Sequence, residues 1–387
     1  MLALHAERAL TPLEEIQDAV ILLDGPKIAA VGMRGQIALP RGTQEMTMAA
    51  GTIVPGFVDV HIHGAGGKDV MDGGAASLET VAATVARFGT TSLVATTVTA
   101  SPKHTCRSVE AIAKWMESQF SGPRAVKAEV LGIHFEGPFI CAARRGVHPL
   151  EWIAAPSTSL LDRFLGAARG AARILTLAPE LPGALDLVHA ARGAGVVVSL
   201  GHTDATFDEA TAAIHAGARH AAHVFNAMRP FSHRETGVLG AVLTSREVTA
   251  ELIADGVHVD GAAIRLLLAA KGVDRTVLVS DATAATAMPD GSYRLGTFEV
   301  SVRGGVCRNA EGKLAGSTLT LDRAVRHMVE LGVPLAESVR MATWNPARVL
   351  GIEGRKGTLG AGADADLVLL DEQLRVARVM ARGAWLS

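Results

Sequence analysis

Pro55-Gly56-Phe57-Val58-Asp59-Val60-His61-Ile62-His63-Gly64 reads as a short buried strand, Phe57 to Val60, that ends in two histidines. His61 and His63 are two residues apart, and alternate strand residues point to the same side. Both imidazoles therefore face one point, where the strand stops and a glycine-rich loop begins. Two neutral imidazoles converging at a strand end can begin a metal site. The alternative is a pair of half-buried polar residues, since His-x-His pairs also arise by chance. The flanking sequence decides between the two.

From Gly51 onward, apolar β-rich runs alternate with alanine-rich helical segments. The runs are Phe57–His61, Ser92–Thr97, Val130–Glu136, Ile174–Pro179, Val196–His202, Ala221–Asn226, Glu251–Asp255 and Thr276–Asp281. Helical patterns fall between them at Leu78–Phe88, Val109–Met116, Ser159–Gly166, Leu185–Arg192, Asp208–His215 and Gly261–Ala270. Eight strand–helix repeats predict a closed parallel sheet, a (β/α)8 TIM barrel. Continuous apolar strands suit a sheet buried on both faces. The sixth repeat is the weakest, because the stretch after Asn226 reads as a loop before it reads as a helix. After Asp281, Pro289–Ser292 and Thr297–Val302 resemble a small hairpin insertion. Helical segments follow at Thr320–Leu331 and Leu335–Thr343.

Upstream of the decisive stretch, Asp18–Asp24, Lys27–Gly32 and Thr43–Met48 alternate with turn residues. This spacing predicts an antiparallel sheet, too small to bury a core alone. The tail from Gly357 is β-like again, at Asp366–Leu370 and Ala377–Met380. The expectation is a small β-sandwich domain built from both termini, residues 1–50 and 355–387, beside a barrel over residues 51–354.

With 387 residues, 49% of them hydrophobic and 20% charged, the chain can bury a large core. A formal net charge of −2 carries no basic bias, which argues against a nucleic-acid partner. No apolar run approaches the ~20 residues that cross a bilayer, which argues against a membrane. The opening Met1–Arg8 lacks the basic start and apolar segment of a signal peptide. Cys106, Cys141 and Cys307 are scattered and odd in number, so a disulfide framework is not expected. These features predict a reduced, cytoplasmic setting.

Residues with metal-binding character gather at the C-terminal ends of the expected strands. His61 and His63 end the first, Glu136 the third, His202 the fifth and Asp281 the eighth, while His223 lies in the sixth. In such barrels the active site occupies that face. Four histidines and two carboxylates at one rim far outweigh a lone His-x-His. Nitrogen and oxygen donors without thiolate suit Zn²⁺, with Fe²⁺, Mn²⁺ or Co²⁺ as alternatives. Such an ion lowers the pKa of a bound water and polarises a carbonyl. Asp281 stands where a proton acceptor would serve, and it could pass the proton to a leaving amine. These parts describe hydrolysis of an amide-like bond.

The opening motif, the Glu136 ligand, the two later histidines and the terminal Asp281 resemble the amidohydrolase superfamily, as does the tail Gly362–Asp371, GADADLVLLD. More narrowly, GIHFEGPFI (132–140), RRGVHP (144–149), LGHTDA (200–205), HVFNAM (223–228), HRETG (233–237), ADGVHVD (254–260) and LVSDATAA (278–285) are similar to N-acetylglucosamine-6-phosphate deacetylases. The resemblance spans residues 50 to 350, and it implies a role for each matched residue. Glu136, His202 and His223 would hold the main metal, with Glu136 replacing the modified lysine of many relatives. Asp281 would be the catalytic acid and base. His148, beside Val147, would contact the sugar or polarise the acetyl carbonyl. Asn226 and Ala227 would touch the substrate, and His258 would line the sugar pocket. Arg234 would bind phosphate, reaching the neighbouring active site of a homodimer. Leu314, Ala315 and Gly316 would close over the acetyl group. Some members replace the two early histidines by Gln and Asn and bind one metal. Retention of His61 and His63 here implies room for a second ion beside the first.

The function implied is metal-dependent removal of acetate from N-acetyl-D-glucosamine 6-phosphate. The alternatives are the same reaction on N-acetylgalactosamine 6-phosphate, a cyclic-amide hydrolase, and a non-catalytic sugar-phosphate-binding barrel. Cyclic-amide hydrolases normally carry a lysine on the fourth strand, and RILTLAPE (173–180) has none. Several nearby polar residues carry plainer expectations. His134 is a supporting or core residue. His220, three before His223, is structural and faces the barrel exterior. Arg229 and His233 add positive charge beside Arg234. Arg144 and Arg145 belong to a solvated loop. Cys141 has no partner pattern of a nucleophile.

Overall fold

The computed structural model describes residues 1–121 and 126–386. Eight parallel strands form the central sheet: β1 (Phe57–Ile62), β2 (Thr90–Thr97), β3 (Glu129–Glu136), β4 (Ala172–Leu177), β5 (Val197–Leu200), β6 (His220–Ala221), β7 (Thr249–Leu252) and β8 (Thr276–Leu278). They are ordered sequentially from β8 to β1. The Asp281 amide donates to the His61 carbonyl at 2.9 Å, and an Ile62–Ala282 bridge completes the closure. The predicted (β/α)8 barrel is therefore the observed fold. Buried strands such as β1, β2 and β3, with no exposed residue, explain the uninterrupted apolar runs.

Among the described residues eight helices follow the strands, α1 (Ala75–Ala86), α2 (Pro102–Ser118), α3 (Thr158–Ala168), α4 (Ala184–Gly193), α5 (Phe207–Ala216), α6 (Gly237–Thr244), α7 (Gly261–Lys271) and α8 (Leu321–Glu330), and the helices Leu335–Ala342 and Trp344–Val349 also pack against β1 and β8. Local chemistry sets several starts. Ser101 caps α2 with Pro102 in its first turn, and Thr206 and Glu209 form a reciprocal capping box on α5. The sixth repeat is weak for the reason its sequence suggested. Its ladder holds two residues, and a loop runs to Thr236 before α6 begins. Between β8 and α8, a three-stranded antiparallel sheet, Gly291–Leu295, Phe298–Arg303 and Val306–Arg308, extends the expected hairpin by one strand.

The two chain ends share one sheet. Leu2–Leu10 pairs antiparallel with Glu15–Asp24, which pairs antiparallel with Lys27–Met33. Gln44–Thr47 and Thr52–Pro55 pair with Leu2–Leu10 in parallel, so the first segment is not wholly antiparallel as its turns suggested. Leu367–Leu370 and Val376–Ala381 extend the sheet from the other end. The Ile28 amide donates to the Ala363 carbonyl and the Ala365 amide to that of Pro26, which brings the far edge back against the tail. Leu4, Ile21, Ile53, Leu367 and Met380 then share one core.

An ion network joins this sheet to the barrel. Lys356 is 1% exposed, with Nζ 2.7 Å from Glu129 at the foot of β3, 2.9 Å from Asp364 and 2.7 Å from Asp366. Arg355 reaches Glu129 and Asp364 at 3.0 Å. The two aspartates of GADADLVLLD are therefore counter-ions placed before the strand Leu367–Leu370.

Candidate active site

The residues singled out at the rim converge. Glu136 ends β3 and is 3% exposed. Its Oε1 lies 3.0 Å from His202 Nε2, 3.0 Å from His223 Nε2 and 3.2 Å from His61 Nε2. Its Oε2 lies 3.4 Å from His63 Nε2 and 3.3 Å from His148 Nε2. Asp281 Oδ1 lies 3.2 Å from His63 Nε2 and 3.8 Å from His61 Nε2. His202, His223 and Asp281 each follow their strand by two or three residues in left-handed backbone, with φ of 49°, 26° and 49°. Non-glycine residues seldom adopt that region, and its concentration at a rim is typical of functional sites. The turn swings each side chain off the ladder and over the barrel mouth.

A metal fits this donor set. His202 Nε2 and His223 Nε2 are 3.1 Å apart, both against one carboxylate oxygen. Two imidazole nitrogens and an oxygen at 3.0–3.1 Å approach the edge of a tetrahedron, about 3.3 Å for ligands ~2.0 Å from Zn²⁺. The second rings are held from behind. His202 Nδ1 donates to the Arg144 carbonyl at 3.0 Å and His63 Nδ1 to that of Thr96 at 3.0 Å, which turns each Nε2 inward.

The electrostatics agree. Burial alone would raise the Glu136 carboxyl, yet His61, His148 and His202 hold it well below the ordinary value. Burial, helped by His148, pushes His202 down to about 4. Glu136 is thus ionised and His202 neutral, the states a metal ligand requires. Burial would also lower His61, His63 and His223. For His61 the Glu251 and Glu136 charges outweigh it, for His63 the Asp281 hydrogen bond, and for His223 the Glu136 hydrogen bond, so all three rise. The carboxylates draw positive charge to the centre of the cluster, the charge that a bound cation would supply in place of those protons. Asp281 is held below its ordinary value: burial opposes this, and the hydrogen bond from His63 with the charge of His61 prevails.

A cavity of about 180 Å³ opens above these groups. His63, Glu136, His202, His223 and Asp281 form its floor, and Val147, His148, Asn226, Ala227, His258, Leu314 and Gly316 its walls. Ala315 is fully buried and Arg234 is exposed, and neither is among the residues lining the cavity. Two wall histidines have fixed tautomers. The Thr99 amide donates to His148 Nδ1 at 3.2 Å, so His148 presents Nε2–H. His258 Nδ1 donates to Asp255 Oδ2 at 2.7 Å, and Asp255 Oδ1 accepts the amides of Val257 and His258. The hairpin insertion contributes Leu295 to the same wall.

Some expectations are corrected. His220 pairs in register with Thr249, so both face the interior with Glu251, and His220 Nε2 lies 2.9 Å from Glu251 Oε1. The offset of three from His223 misled because the chain leaves the ladder after Ala221. Arg229 is tied to Asp204, whose Oδ2 lies 3.2 Å from its Nη2 and whose carbonyl accepts from its Nε at 2.6 Å. Arg144 is not merely solvated. Its Nε meets Asp204 Oδ1 at 2.7 Å while its carbonyl holds His202. His134 is a core residue: its nitrogens meet the Val60 carbonyl at 3.1 Å and Thr176 Oγ1 at 2.7 Å, and burial lowers it to about 3. Sequence reasoning missed Thr99, Asp255 and Glu251. A lone acid inside the apolar run Thr249-Ala250-Glu251-Leu252-Ile253 was the available signal for the last.

The sequence model of the amidohydrolase family matches residues 52–386. N-acetylglucosamine-6-phosphate deacetylase of Bacillus subtilis (strain 168) is 35% identical over 375 residues, 97% of this chain and 94% of the relative. N-acetylgalactosamine-6-phosphate deacetylase of Escherichia coli O157:H7 is 39% identical over 381 residues, 98% of each chain. N-acetyl-D-glucosamine-6-phosphate deacetylase of Mycobacterium smegmatis, solved as a variant with one aspartate changed to alanine and in complex with N-acetyl-D-glucosamine-6-phosphate, superposes with a TM-score of 0.92 at 38% identity, covering 100% of this chain and 99% of that one.

Proposed function

Because the chain belongs to the amidohydrolase family, and within it to the N-acetylglucosamine-6-phosphate deacetylases, we propose that it hydrolyses the N-acetyl group of N-acetyl-D-glucosamine 6-phosphate to D-glucosamine 6-phosphate and acetate. The observation that carries this reading is the convergence of Glu136, His202 and His223 within 3.1 Å of one another, with Asp281 beside them at one cavity.

Glu136, His202 and His223 would hold a divalent transition metal, best Zn²⁺ from the nitrogen and oxygen donors, and His61 and His63 leave room for a second. When bound, the ion supplies Lewis acidity toward the acetyl carbonyl and toward water. The chain supplies the rest. His148 donates Nε2–H toward the carbonyl oxygen, its tautomer set by Thr99. Asp281, held ionised, accepts a proton at Oδ1 from the attacking water. It returns that proton to the amine nitrogen as the carbon–nitrogen bond breaks, so one water is consumed and one amine and one acetate leave. Leu314 and Gly316, with Ala315 buried behind them, close over the acetyl methyl. Asn226, Ala227, Val147 and His258 hold the sugar. Arg234 is exposed and outside its own chain's cavity, which supports a homodimer in which it reaches the partner's phosphate. Among the described residues no helix is long and apolar enough to cross a membrane, and a cytoplasmic enzyme of amino-sugar breakdown is the setting proposed.

The second reading is N-acetylgalactosamine 6-phosphate as substrate, favoured by the 39% identity to the E. coli enzyme. Acetate release from both epimers and from unphosphorylated N-acetylglucosamine tests the proposal. The highest kcat/KM should fall on N-acetylglucosamine 6-phosphate. Preference for the galacto epimer would select the second reading, and no release from any of them would refute both.

A further inference from the structure

Strand β7 carries a carboxylate that the mechanism leaves unused. Glu251 stands between Ala250 and Leu252 and is fully buried, a costly place for a charge unless it is well bonded. Its Oε2 lies 2.8 Å from His61 Nδ1 and accepts the His223 backbone amide at 3.0 Å. Its Oε1 lies 2.9 Å from His220 Nε2, and His220 Nδ1 is 2.6 Å from Thr249 Oγ1. An ionised carboxylate only accepts, so His61 must carry its proton on Nδ1. The His61 Nε2 then faces the cluster, where that atom is buried without a hydrogen-bond partner among the described residues. The Thr96 carbonyl imposes the same tautomer on His63 at 3.0 Å. Ligand atoms of His61, His63 and Asp281 lie within 4.8 Å of one another.

We propose that Glu251 is a positioning residue that locks His61 as its Nδ1–H tautomer and so orients it toward the second metal position for which His61 and His63 leave room. The proposal rests on the reading of this cluster as a metal centre. Glu251 is fully buried and is not among the residues lining the cavity above the cluster, so it acts through His61 and through the His223 amide rather than on substrate. His220 and Thr249 complete the support by occupying Oε1, which leaves Oε2 to His61.

The test is metal binding without substrate. Zn²⁺ and Co²⁺ titrations against a competing chelator give stoichiometry and affinity for wild type, Glu251→Leu and Glu251→Gln. Nitrogen-15 NMR of histidine-labelled, zinc-loaded protein gives the tautomers. Wild type should bind two ions per chain. Glu251→Leu should weaken the second ion by about 10–100-fold, the range for loss of a group that orients a metal-binding histidine, with a smaller effect on the first. Glu251→Gln can keep an oxygen on His61 and turn its amide to His220, so it should retain both ions with His61 still protonated at Nδ1. Folded Glu251→Leu with two wild-type affinities would overturn the proposal, as would equal weakening of both ions in both variants, or one ion in saturated wild type. If Glu251→Leu does not fold, the NMR spectrum of Glu251→Gln decides: Nδ1–H on His61 supports the proposal and Nε2–H overturns it. Two ions as expected with no acetate release would sink deacetylation and leave this proposal standing, while one ion with full deacetylation would do the reverse.

Discussion

Replacing Lys356 by Met should destabilise the fold without touching the catalytic cavity. Burial alone would lower the Lys356 ammonium, yet Asp366, Glu129 and Asp364 hold it above the ordinary lysine value. Met fills much of the same volume but leaves three acids around an uncharged side chain. Arg355 still reaches Glu129 and Asp364, so two of the three keep a partner. Asp366 Oδ2 loses the ammonium 2.7 Å away, while its Oδ1 keeps the Arg382 amide at 2.8 Å. Breaking a buried ion pair costs about 3–5 kcal/mol, and with Arg355 remaining the expected loss is near ~3 kcal/mol. That is more than about a hundredfold in the unfolding equilibrium. Urea unfolding followed by circular dichroism measures it. Adding Asp366→Asn removes the stranded charge and keeps the acceptor for Arg382, so the double variant should be more stable than Lys356→Met alone. Asp364 opposes its burial through Lys356 and sits below its ordinary value, so its share of stability is present at neutral pH and lost as falling pH protonates it. The difference between wild type and variant should stay level from neutral pH down to about 4 and narrow below that. A loss under about 1 kcal/mol, or a double variant no better than the single, would refute the network as the tie between sheet and barrel.

Other outcomes bear on the site. Glu136→Ala should lose the first metal while the protein stays folded, read by metal analysis beside circular dichroism. Full metal and full activity in that variant would contradict the ligand assignment. Arg234→Ala should raise KM for the phosphorylated sugar sharply and leave the unphosphorylated sugar nearly unchanged, because in the proposed role its guanidinium fork would serve the phosphate alone. Gly316→Ala should lose activity. Gly316 has φ +58°, and an added Cβ would lie 2.6 Å from Thr283 Cγ2 and 2.9 Å from the Asp281 carbonyl. Wild-type kcat in that variant would show that the wall tolerates a shift beside Asp281.

The barrel was legible because each strand is buried on both faces and reads as an unbroken apolar run. The rim was legible because its histidines and carboxylates interrupt those runs at their ends. What stayed hidden depends on where a run leaves the ladder. β5 stops at Leu200 and β6 at Ala221, so the turns that carry His202 and His223 broke the counting of faces and misplaced His220. Glu251 was hidden for the opposite reason: it stays within the ladder, where its partners His61 and His220 are far away in sequence. Arg144 and Arg229 looked alike as loop arginines, and only the structure shows that both meet Asp204. The parallel pairing of Thr52–Pro55 with Leu2–Leu10 could not be read from turns, since it joins segments that no hairpin connects.

The central claim is that Asp281 moves the proton in amide hydrolysis. Asp281→Asn keeps the shape but cannot accept that proton. The decisive measurement is single-turnover acetate release from N-acetylglucosamine 6-phosphate by metal-loaded wild type and Asp281→Asn at matched metal content. The variant should bind substrate with little change and react ~10²–10⁴ times more slowly. If Asp281 merely accepted neighbouring hydrogen bonds, Asn would serve as well, and a rate constant within a few-fold of wild type would contradict the account.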